Sequence, residues 1–358
     1  MLEIDGSYGE GGGQILRTSL SLACLTGTPF RIANIRRERR KPGLMSQHLA
    51  AVRAAQSIAQ ATVLGAEMGS TSLEFTPHAL RGGAFSFDIG TSGSVTLVLQ
   101  TLIPPLLHAD RPSRVTLSGG THVPLCPSVH YLVEVFAPLL RRIGAELRLS
   151  IDVYGFYPRG GGRICAEILP AREFQPLILD TPGELRRISG CSGVGNLPLS
   201  IAERQRTSAR TALADVLGDS CRTAEIALLN APGPGQGTFL FLRGDTGTVS
   251  AGFTALGARG KRAETVGTEA AQEFLQHFAS GAALDPHLAD QLVPYLALCH
   301  GESSFTTSRI TRHLLTNLWV TALFLPLSYH VEGEEGQAGR VTMSPTERAV
   351  LSCVWRRT

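Results

Sequence analysis

The sequence is poor in lysine, paired cysteines and long apolar runs, and each shortage excludes a class of protein. Only Lys41 and Lys261 are lysines, and 33 basic against 30 acidic residues leave a net charge of +3, too small for a whole-protein field that attracts nucleic acid. Seven scattered cysteines without a CxxC pair argue against a disulfide framework or structural zinc, and they fit a reducing cytoplasm. No apolar run reaches the roughly 20 residues of a membrane span. The acidic, glycine-containing N-terminus is not a signal peptide, so we expect a cytoplasmic protein without a membrane segment.

The chain is long and apolar enough to build a folded protein with more than one domain. It has 358 residues, of which 43% are hydrophobic and 18% charged. This length allows two or three domains, and this composition supports a packed core rather than disorder. Any contact with nucleic acid must then come from local clusters of charge.

Two N-terminal segments share one order of strand, loop, helix and hairpin. The first has a strand at 31–35 and a helix at 44–61, and the second has a strand at 113–118 and a helix at 128–144. Apolar residues at helical spacing support both helices. A third copy is predicted in residues 272–345. Each sheet would be covered by helices on one face, which is an α+β architecture.

Residues 183–271 break this pattern and predict a small α/β domain inserted between the second and third repeats. The large domain then comprises residues 1–182 and 272–345, built of three repeated βαβαββ-like units. Residues 346–358 form a C-terminal tail beyond the last predicted strand, with no assigned role.

His313 is the first candidate for chemistry. Thr311 is a natural helix cap, so His313 falls in the first turn, on the side opposite an apolar stripe that includes Leu314 and Leu318. The positive end of the helix dipole disfavours imidazolium, which keeps the ring neutral and nucleophilic. Position alone favours the alternative, an ordinary surface histidine.

Two glycine-rich segments precede helices. In residues 6–17, backbone N–H groups could approach phosphate oxygens, Glu10 could hold Mg²⁺ beside them, and Arg17 follows one turn into the helix. In residues 88–100, Gln100 could hydrogen-bond a base edge. A flexible turn and an ordinary capped helix explain the same residues, and no GK[ST] follows that would make a Walker A loop.

A basic loop and a second helix start supply further candidates. Residues 36–43 hold five cations within six positions, followed by Gln47, and an arginine-dominated cluster suits bidentate phosphate contacts. Such charge runs are also common on solvated surfaces. At 287–291, Asp290 could accept from a ribose or adenine group, orient the catalytic histidine, or simply favour the helix start.

Taken together, these segments resemble the RNA 3′-terminal phosphate cyclase family. The matching motifs occur in family order over about 345 residues, and the most specific are GFYPRGGG and HLADQ with a later HLLTN. They are GEGGGQILR (9–17), RKPGL (40–44), QHL (47–49), GTSGSVTLVLQ (90–100), SGGT (118–121), GFYPRGGG (155–162), HLADQL (287–292) and RHLLTNL (312–318).

The resemblance implies an ATP-dependent enzyme with a three-repeat domain and a small insert. His313 would attack the α-phosphorus of ATP, AMP would pass to an RNA 3′-phosphate, and the neighbouring 2′-hydroxyl would close a 2′,3′-cyclic phosphate. The implied partners are RNA with a 3′-phosphate, ATP, and Mg²⁺ or Mn²⁺, with no membrane and no obligate protein partner.

The resemblance also implies a role for each matching residue. Glu10 would bind the metal, and Arg17, Arg39 and Gln47 would act with His313 in catalysis. Arg36, Arg40 and Lys41 would hold RNA phosphates. The AMP pocket would be formed by Gln100, Pro127, His287, Leu288, Ala289, Asp290 and Gln291.

Two positions depart from the family pattern, and two other classes compete. Tyr154 stands where histidine or arginine is expected, and His122 where the family often has an acid. A cyclase-like ribosome-assembly protein would share the fold without catalysis, but His313 with Glu10 and Arg17 argues against it. An enolpyruvyl transferase has similar repeated units, yet it has no use for a nucleophilic histidine after HLADQ.

Overall fold

A computed structural model describes residues 1–171, 173–218 and 224–346. Three four-stranded sheets in it repeat one topology: the first strand is parallel to the second, and the third and fourth form an antiparallel hairpin beside the second. The first two strands of a sheet place apolar residues opposite each other, as Ile4 and Ile32 do in the first sheet and Phe87 and Leu117 in the second. The predicted α+β class is thus confirmed, and the three βαβαββ-like repeats are visible in the sheets.

The first two repeats are continuous in sequence. The first contains β1 (Leu2–Asp5), α1 (Gly13–Thr26), β2 (Phe30–Ala33), α2 (Ser46–Ala59), β3 (Thr62–Leu64) and β4 (Leu73–Thr76). The second contains β5 (Ala84–Asp88), α3 (Val95–Leu106), β6 (Ser113–Gly119), α4 (Val129–Tyr131), a π-helical turn (Leu132–Phe136), α5 (Ala137–Arg142), β7 (Leu147–Val153) and β8 (Gly162–Ile168). The helix predicted at 128–144 is therefore interrupted by a π-helical turn, a feature that often accompanies functional sites.

The third repeat is interrupted by the insert. It contains β9 (Ile178–Leu179), α8 (Pro286–Leu296), β14 (Ser303–Thr307), α9 (Arg312–Phe324), β15 (Leu327–Glu332) and β16 (Gly339–Pro345). Because β9 pairs in parallel with β14, the repeat begins before the insert, and the expectation of an insert between the second and third repeats is wrong. A two-residue strand is too short to give a periodic signal in sequence.

The insert has its own sheet and its own small core. Its elements are β10 (Arg187–Gly195), α6 (Leu199–Leu217), β11 (Glu225–Asn230), β12 (Gly237–Asp245), β13 (Ser250–Leu256) and α7 (Ala263–Ala279). Val266, Ala270 and Phe274 of α7 are buried in that core. The predicted boundary between residues 271 and 272 therefore falls inside α7, and we propose that the inserted unit extends to Ala279.

Helices from all three repeats meet in the middle of the large core, where α1 packs against both α3 and α9, and α8 packs against α9. Side-chain caps fix where these helices start. Asp285 accepts from the backbone N–H of His287 and of Leu288, both at 3.0 Å, and Thr311 accepts from Leu314 N at 3.1 Å. These caps fix the N-termini of α8 and α9.

Two expectations from composition concern the whole chain. The five cysteines within the described residues are all free thiols, while Cys221 and Cys353 lie outside them. Among the described helices, none has the length and apolarity that crossing a membrane requires. The predicted tail at 346–358 lies, apart from Thr346, outside the described residues.

Candidate active site

A cavity of about 440 Å³ opens where α1, α3, α8 and α9 meet the insert. Its volume lies in the range of small-molecule sites. It collects seven of the residues that the sequence motifs singled out, although these come from five separate segments of the chain. They are Arg17, Gln100, Pro127, His287, Asp290, Gln291 and His313.

His313 stands at the cavity with 48% of its side chain exposed. Its Nδ1 is hydrogen-bonded to Oε1 of Gln14 in the first turn of α1. Because an amide oxygen can only accept, the imidazole proton lies on Nδ1. Nε2 consequently carries the free lone pair. The sequence motifs contained Gln14 in GGGQ, but its role became visible only through this contact.

The environment of His313 keeps it uncharged. Burial, followed by the charges of Arg17, His287 and Arg39, lowers the pKa of His313 to about 4. The prediction from the helix dipole was a neutral ring. The larger causes are desolvation and the neighbouring cations, which a single helix could not reveal.

Two polar residues of α9, Thr316 and Asn317, are buried against α1 and α8 and do not face solvent. Asn317 accepts from Thr18 Oγ1 at 2.7 Å and donates to the backbone oxygen of Asp290 at 2.8 Å. Thr316 Oγ1 accepts from the backbone N–H of Glu10 at 3.1 Å. These bonds fix the orientation of α9, and hence of His313, relative to the two neighbouring helices.

The glycine-rich loop presents one carboxylate to the histidine. Glu10 Oε2 is 4.0 Å from Nδ1 of His313, and it is buried without a hydrogen-bond partner. Arg39 of the basic loop forms an ion pair with Glu10. A Cβ on Gly12 would overlap the Glu10 carboxylate, so only glycine at the cap of α1 leaves room for this arrangement.

The deeper part of the cavity holds polar atoms that lack partners. Gln100 Nε2 and Gln291 Oε1 are both buried with no hydrogen bond, and an orphaned buried donor or acceptor costs about 1–3 kcal/mol. One is a donor and the other an acceptor. A planar ligand with both functions on its edge would satisfy them.

Two acidic residues at the start of α8 have different roles. Asp285 caps the helix and accepts from the hydroxyl of Tyr131 at 2.9 Å, which joins α8 to the second repeat. Asp290 faces the cavity. Burial and the nearby Asp285 charge raise the pKa of Asp290 well above its usual value, against an opposing effect of Arg17. Its carboxyl group is thereby favoured as a hydrogen-bond donor.

Several predicted residues lie away from the cavity. Leu288 and Ala289 are fully buried in the large core, because they occupy the inner face of α8. Gln47 accepts from the backbone N–H of Ser94 at 2.8 Å, which ties α2 to the start of α3. Arg36 donates to the backbone oxygens of Lys41 and Gly43, so it braces its own loop.

Arg39, Arg40 and Lys41 are exposed on that loop. Of these, Arg39 reaches the site through Glu10. The basic loop thus borders the cavity mouth but does not line the cavity.

The insert contributes to the cavity, although its sequence showed no chemistry. Gly252, Phe253 and Thr254 of β13 and Glu273 of α7 are part of the lining. From the second repeat, Tyr131, just before the π-helical turn, and Phe136, the last residue of that turn, also line the cavity. None of these residues carries a sequence motif, so only the packing of the insert could reveal them.

The two residues that depart from the family pattern pack together outside this cavity. His122 is 1% exposed, and its ring centroid lies 5.5 Å from that of Tyr154 and 4.2 Å from that of Phe239 in the insert. Their place is therefore an aromatic contact between the second repeat and the insert.

Comparison with known proteins gives one consistent result. The family model for RNA 3′-terminal phosphate cyclase matches residues 8–331. A protein named RNA 3′-terminal phosphate cyclase from Pyrobaculum neutrophilum is 46% identical over 331 residues, covering 92% of this chain and 95% of its own. One from Methylococcus capsulatus is 48% identical, covering 90% and 91%. One from Koribacter versatilis is 44% identical, covering 98% and 97%.

The chain belongs to the RNA 3′-terminal phosphate cyclase family, which confirms the membership and the enzyme class predicted from the motifs. Among solved structures, the enolpyruvyl transferase NikO from Streptomyces tendae matches with a TM-score of 0.36 and 10% identity, over 95% of this chain and 48% of its own. That likeness is too weak to bear on function.

Proposed function

We propose that this protein uses ATP to convert an RNA 3′-terminal phosphate into a 2′,3′-cyclic phosphodiester, through AMP bound covalently to His313. The observation that carries the proposal is the neutral imidazole of His313. Its Nδ1–H is held by Gln14, which leaves Nε2 bare beside a cavity with unpartnered Gln100 and Gln291 amides. We place the reaction in the cytoplasm because of the free thiols.

The first step is attack of Nε2 on the α-phosphorus of ATP. A P–N bond forms, the bond to the bridging oxygen breaks, and pyrophosphate leaves. Gln100 and Gln291 would bind the base edge, Pro127 and Asp290 would line the nucleoside site, and Arg17 would offset phosphate charge. A pKa of about 4 for His313 means that no proton must first be removed from the attacking atom near neutral pH.

Two transfers complete the reaction. An oxygen of the RNA 3′-phosphate attacks the phosphorus of the bound AMP, and the P–N bond breaks to restore neutral His313. The 2′-hydroxyl then attacks the activated 3′-phosphorus, AMP leaves, and the hydroxyl proton passes to solvent. A phosphate monoester has no good leaving group. Adenylylation supplies one to a nucleophile that is already adjacent.

Glu10 fits a divalent cation that is shared with substrate phosphates. Its buried Oε2 lacks a partner, and Mg²⁺ is commonly held by one or two carboxylates together with phosphates and water. The described residues contain no group of three protein ligands that would hold a metal by themselves. When bound, Mg²⁺ or Mn²⁺ would neutralise phosphate charge, and Arg39 would then move its ion pair from Glu10 to phosphate.

Incubation with α-labelled ATP and Mg²⁺ or Mn²⁺ tests the proposal. The protein should retain acid-labile, alkali-stable label, and a chase with RNA ending in a 3′-phosphate should release it as AMP with formation of a cyclic end. His313→Asn should take up no label, because an amide is not a nucleophile. A wild-type protein that stays unlabelled with either metal contradicts the mechanism.

A further inference from the structure

Two stacked aromatic rings lie beside the candidate active site without a part in adenylylation. Tyr8, in the loop between β1 and α1, stacks on Trp319 of α9 with centroids 4.0 Å apart and planes inclined by 24°. Tyr8 is 48% exposed, whereas Trp319 is partly buried against the large core. Because the indole covers one face of Tyr8, the exposed part consists of the other face and the edge.

We call Tyr8 and Trp319 the aromatic platform. A third exposed aromatic residue, Tyr329, lies on β15, the strand that follows α9. Tyrosine and tryptophan offer large contact area with little side-chain entropy to lose, so an exposed cluster of them is typical of a binding surface.

The aromatic platform is fixed close to the reactive groups. A Cβ on Gly9, which has a φ of +58°, would overlap Thr316 Oγ1, so the loop lies tightly against α9 one turn after His313. Tyr8 is only two residues from Glu10, a span of at most about 7 Å between Cα atoms. A nucleotide whose phosphate lies near Glu10 and His313 would therefore have its base, or that of its neighbour, within reach of Tyr8.

Cations of the basic loop lie beside the loop that carries Tyr8. The Arg37 charge acts on Asp5 and helps to lower the pKa of its carboxyl, after hydrogen bonds from Ser7 and Asn34. Arg39 is bonded to Glu10. A line of cations for phosphates next to aromatic rings for bases is how proteins bind single-stranded nucleic acid. An acidic peptide would use the cations but would leave the flat aromatic faces without a matching group.

We propose that the aromatic platform stacks a base from the last two nucleotides of the RNA 3′ end, while the basic loop binds the neighbouring phosphates. The inference rests on the proposed function, since it assumes that an RNA end approaches His313. It adds a subsite that favours a single-stranded end with intact bases over a bare sugar-phosphate. A base-paired end would have to open before its last base could stack.

Equilibrium binding tests the platform without relying on catalysis. A short fluorescent single-stranded RNA with a 3′-phosphate is titrated with protein in the absence of ATP, and anisotropy gives Kd. Tyr8→Ala should raise Kd roughly 5- to 150-fold, which corresponds to about 1–3 kcal/mol for one stacked base. Tyr8→Phe should bind nearly as the wild type does. Leu64→Ala, which truncates an apolar residue that is 61% exposed on β3, is the matched control and should change nothing.

Modified RNA makes the same test without altering the protein. An abasic site at the last or second-last nucleotide should weaken binding to the wild type, and an abasic site at an internal position should not. The inference is overturned if abasic ends bind as tightly as intact ends, or if a folded Tyr8→Ala protein binds as the wild type does. Folding is checked by thermal unfolding.

Labelling with ATP separates this inference from the proposed function. Tyr8→Ala should still take up label from α-labelled ATP, because Tyr8 is not among the residues that line the cavity. If the wild type takes no label but binding still depends on Tyr8 and on the terminal bases, the mechanism fails and the platform stands. If the wild type takes up label but RNA binding depends neither on Tyr8 nor on the terminal bases, the platform is refuted and the proposed function is not.

Discussion

Replacing Gln14 by alanine would show how far the reactivity of His313 depends on its orientation. Gln14 is 8% exposed, and its Oε1 is the hydrogen-bond partner of His313 Nδ1. Without that acceptor the imidazole proton can move to Nε2, which would block the atom that we propose attacks phosphorus. The ring can also rotate away from the cavity.

The size of the effect follows from these two losses. A hydrogen bond of this kind contributes about 0.5–1.5 kcal/mol, and removing the partner that orients an imidazole in metal sites typically costs about 10–100-fold. We expect the single-turnover rate of His313 labelling to fall roughly 10- to 100-fold in Gln14→Ala, or about 1.4–2.7 kcal/mol. The half-saturating ATP concentration should change much less.

Gln14→Glu supplies the complementary variant. It keeps an acceptor oxygen, so labelling at pH 8 should stay closer to the wild-type rate. The added negative charge raises the pKa of His313 from about 4, so the rate should fall at a higher pH than in the wild type as the solution is acidified.

Thr26→Ala, which removes a 2.8 Å hydrogen bond in the last turn of the same helix, controls for general damage to α1. Labelling is followed by filter counting after an alkaline quench, which preserves the acid-labile P–N bond. An unchanged rate in Gln14→Ala would refute the orienting role.

Three further expectations follow from the same region. A Cβ on Gly13 would overlap His48 Nε2 and lie 2.9 Å from Arg17 Nη1. Gly13→Ala should therefore lower both the labelling rate and the melting temperature, despite a helix-propensity gain of about 1 kcal/mol. A more stable, fully active variant would contradict this. Gln100→Leu removes an unpartnered buried donor. The affinity for ATP should fall roughly tenfold, while the urea midpoint of unfolding should stay the same or rise. Unaltered affinity would argue against a contact between Gln100 and the base of ATP. Burial, with the charges of Arg17 and Arg36, lowers the pKa of His48 from 6.5 to about 3. On acidification the unfolded chain therefore protonates His48 before the folded protein does. The free energy of unfolding should be highest above pH 6.5 and decline toward pH 3, with a loss of about 2 kcal/mol at pH 5. Urea midpoints at pH 7.5 and 5 measure this loss, and His48→Gln should show a smaller one.

Local sequence signals were sufficient to predict where the central helices start. Asp285 with Pro286, and Thr311, mark the starts of α8 and α9 within one residue, because a cap depends on neighbours in the chain. The family motifs predicted the class of enzyme correctly, and they singled out His313 as the candidate nucleophile. Composition alone predicted a folded protein with free thiols.

Tertiary structure decided where the insert lies and how the site is assembled. Gln14 and His313 are 299 positions apart, and their contact exists because α1 of the first repeat packs on α9 of the third. The start of the third repeat, the cavity lining from β13 and the stacking of Tyr8 on Trp319 depend in the same way on packing between distant segments. A sequence pattern records what each residue does to its own helix or strand. Which side chains converge is fixed only when those elements pack together.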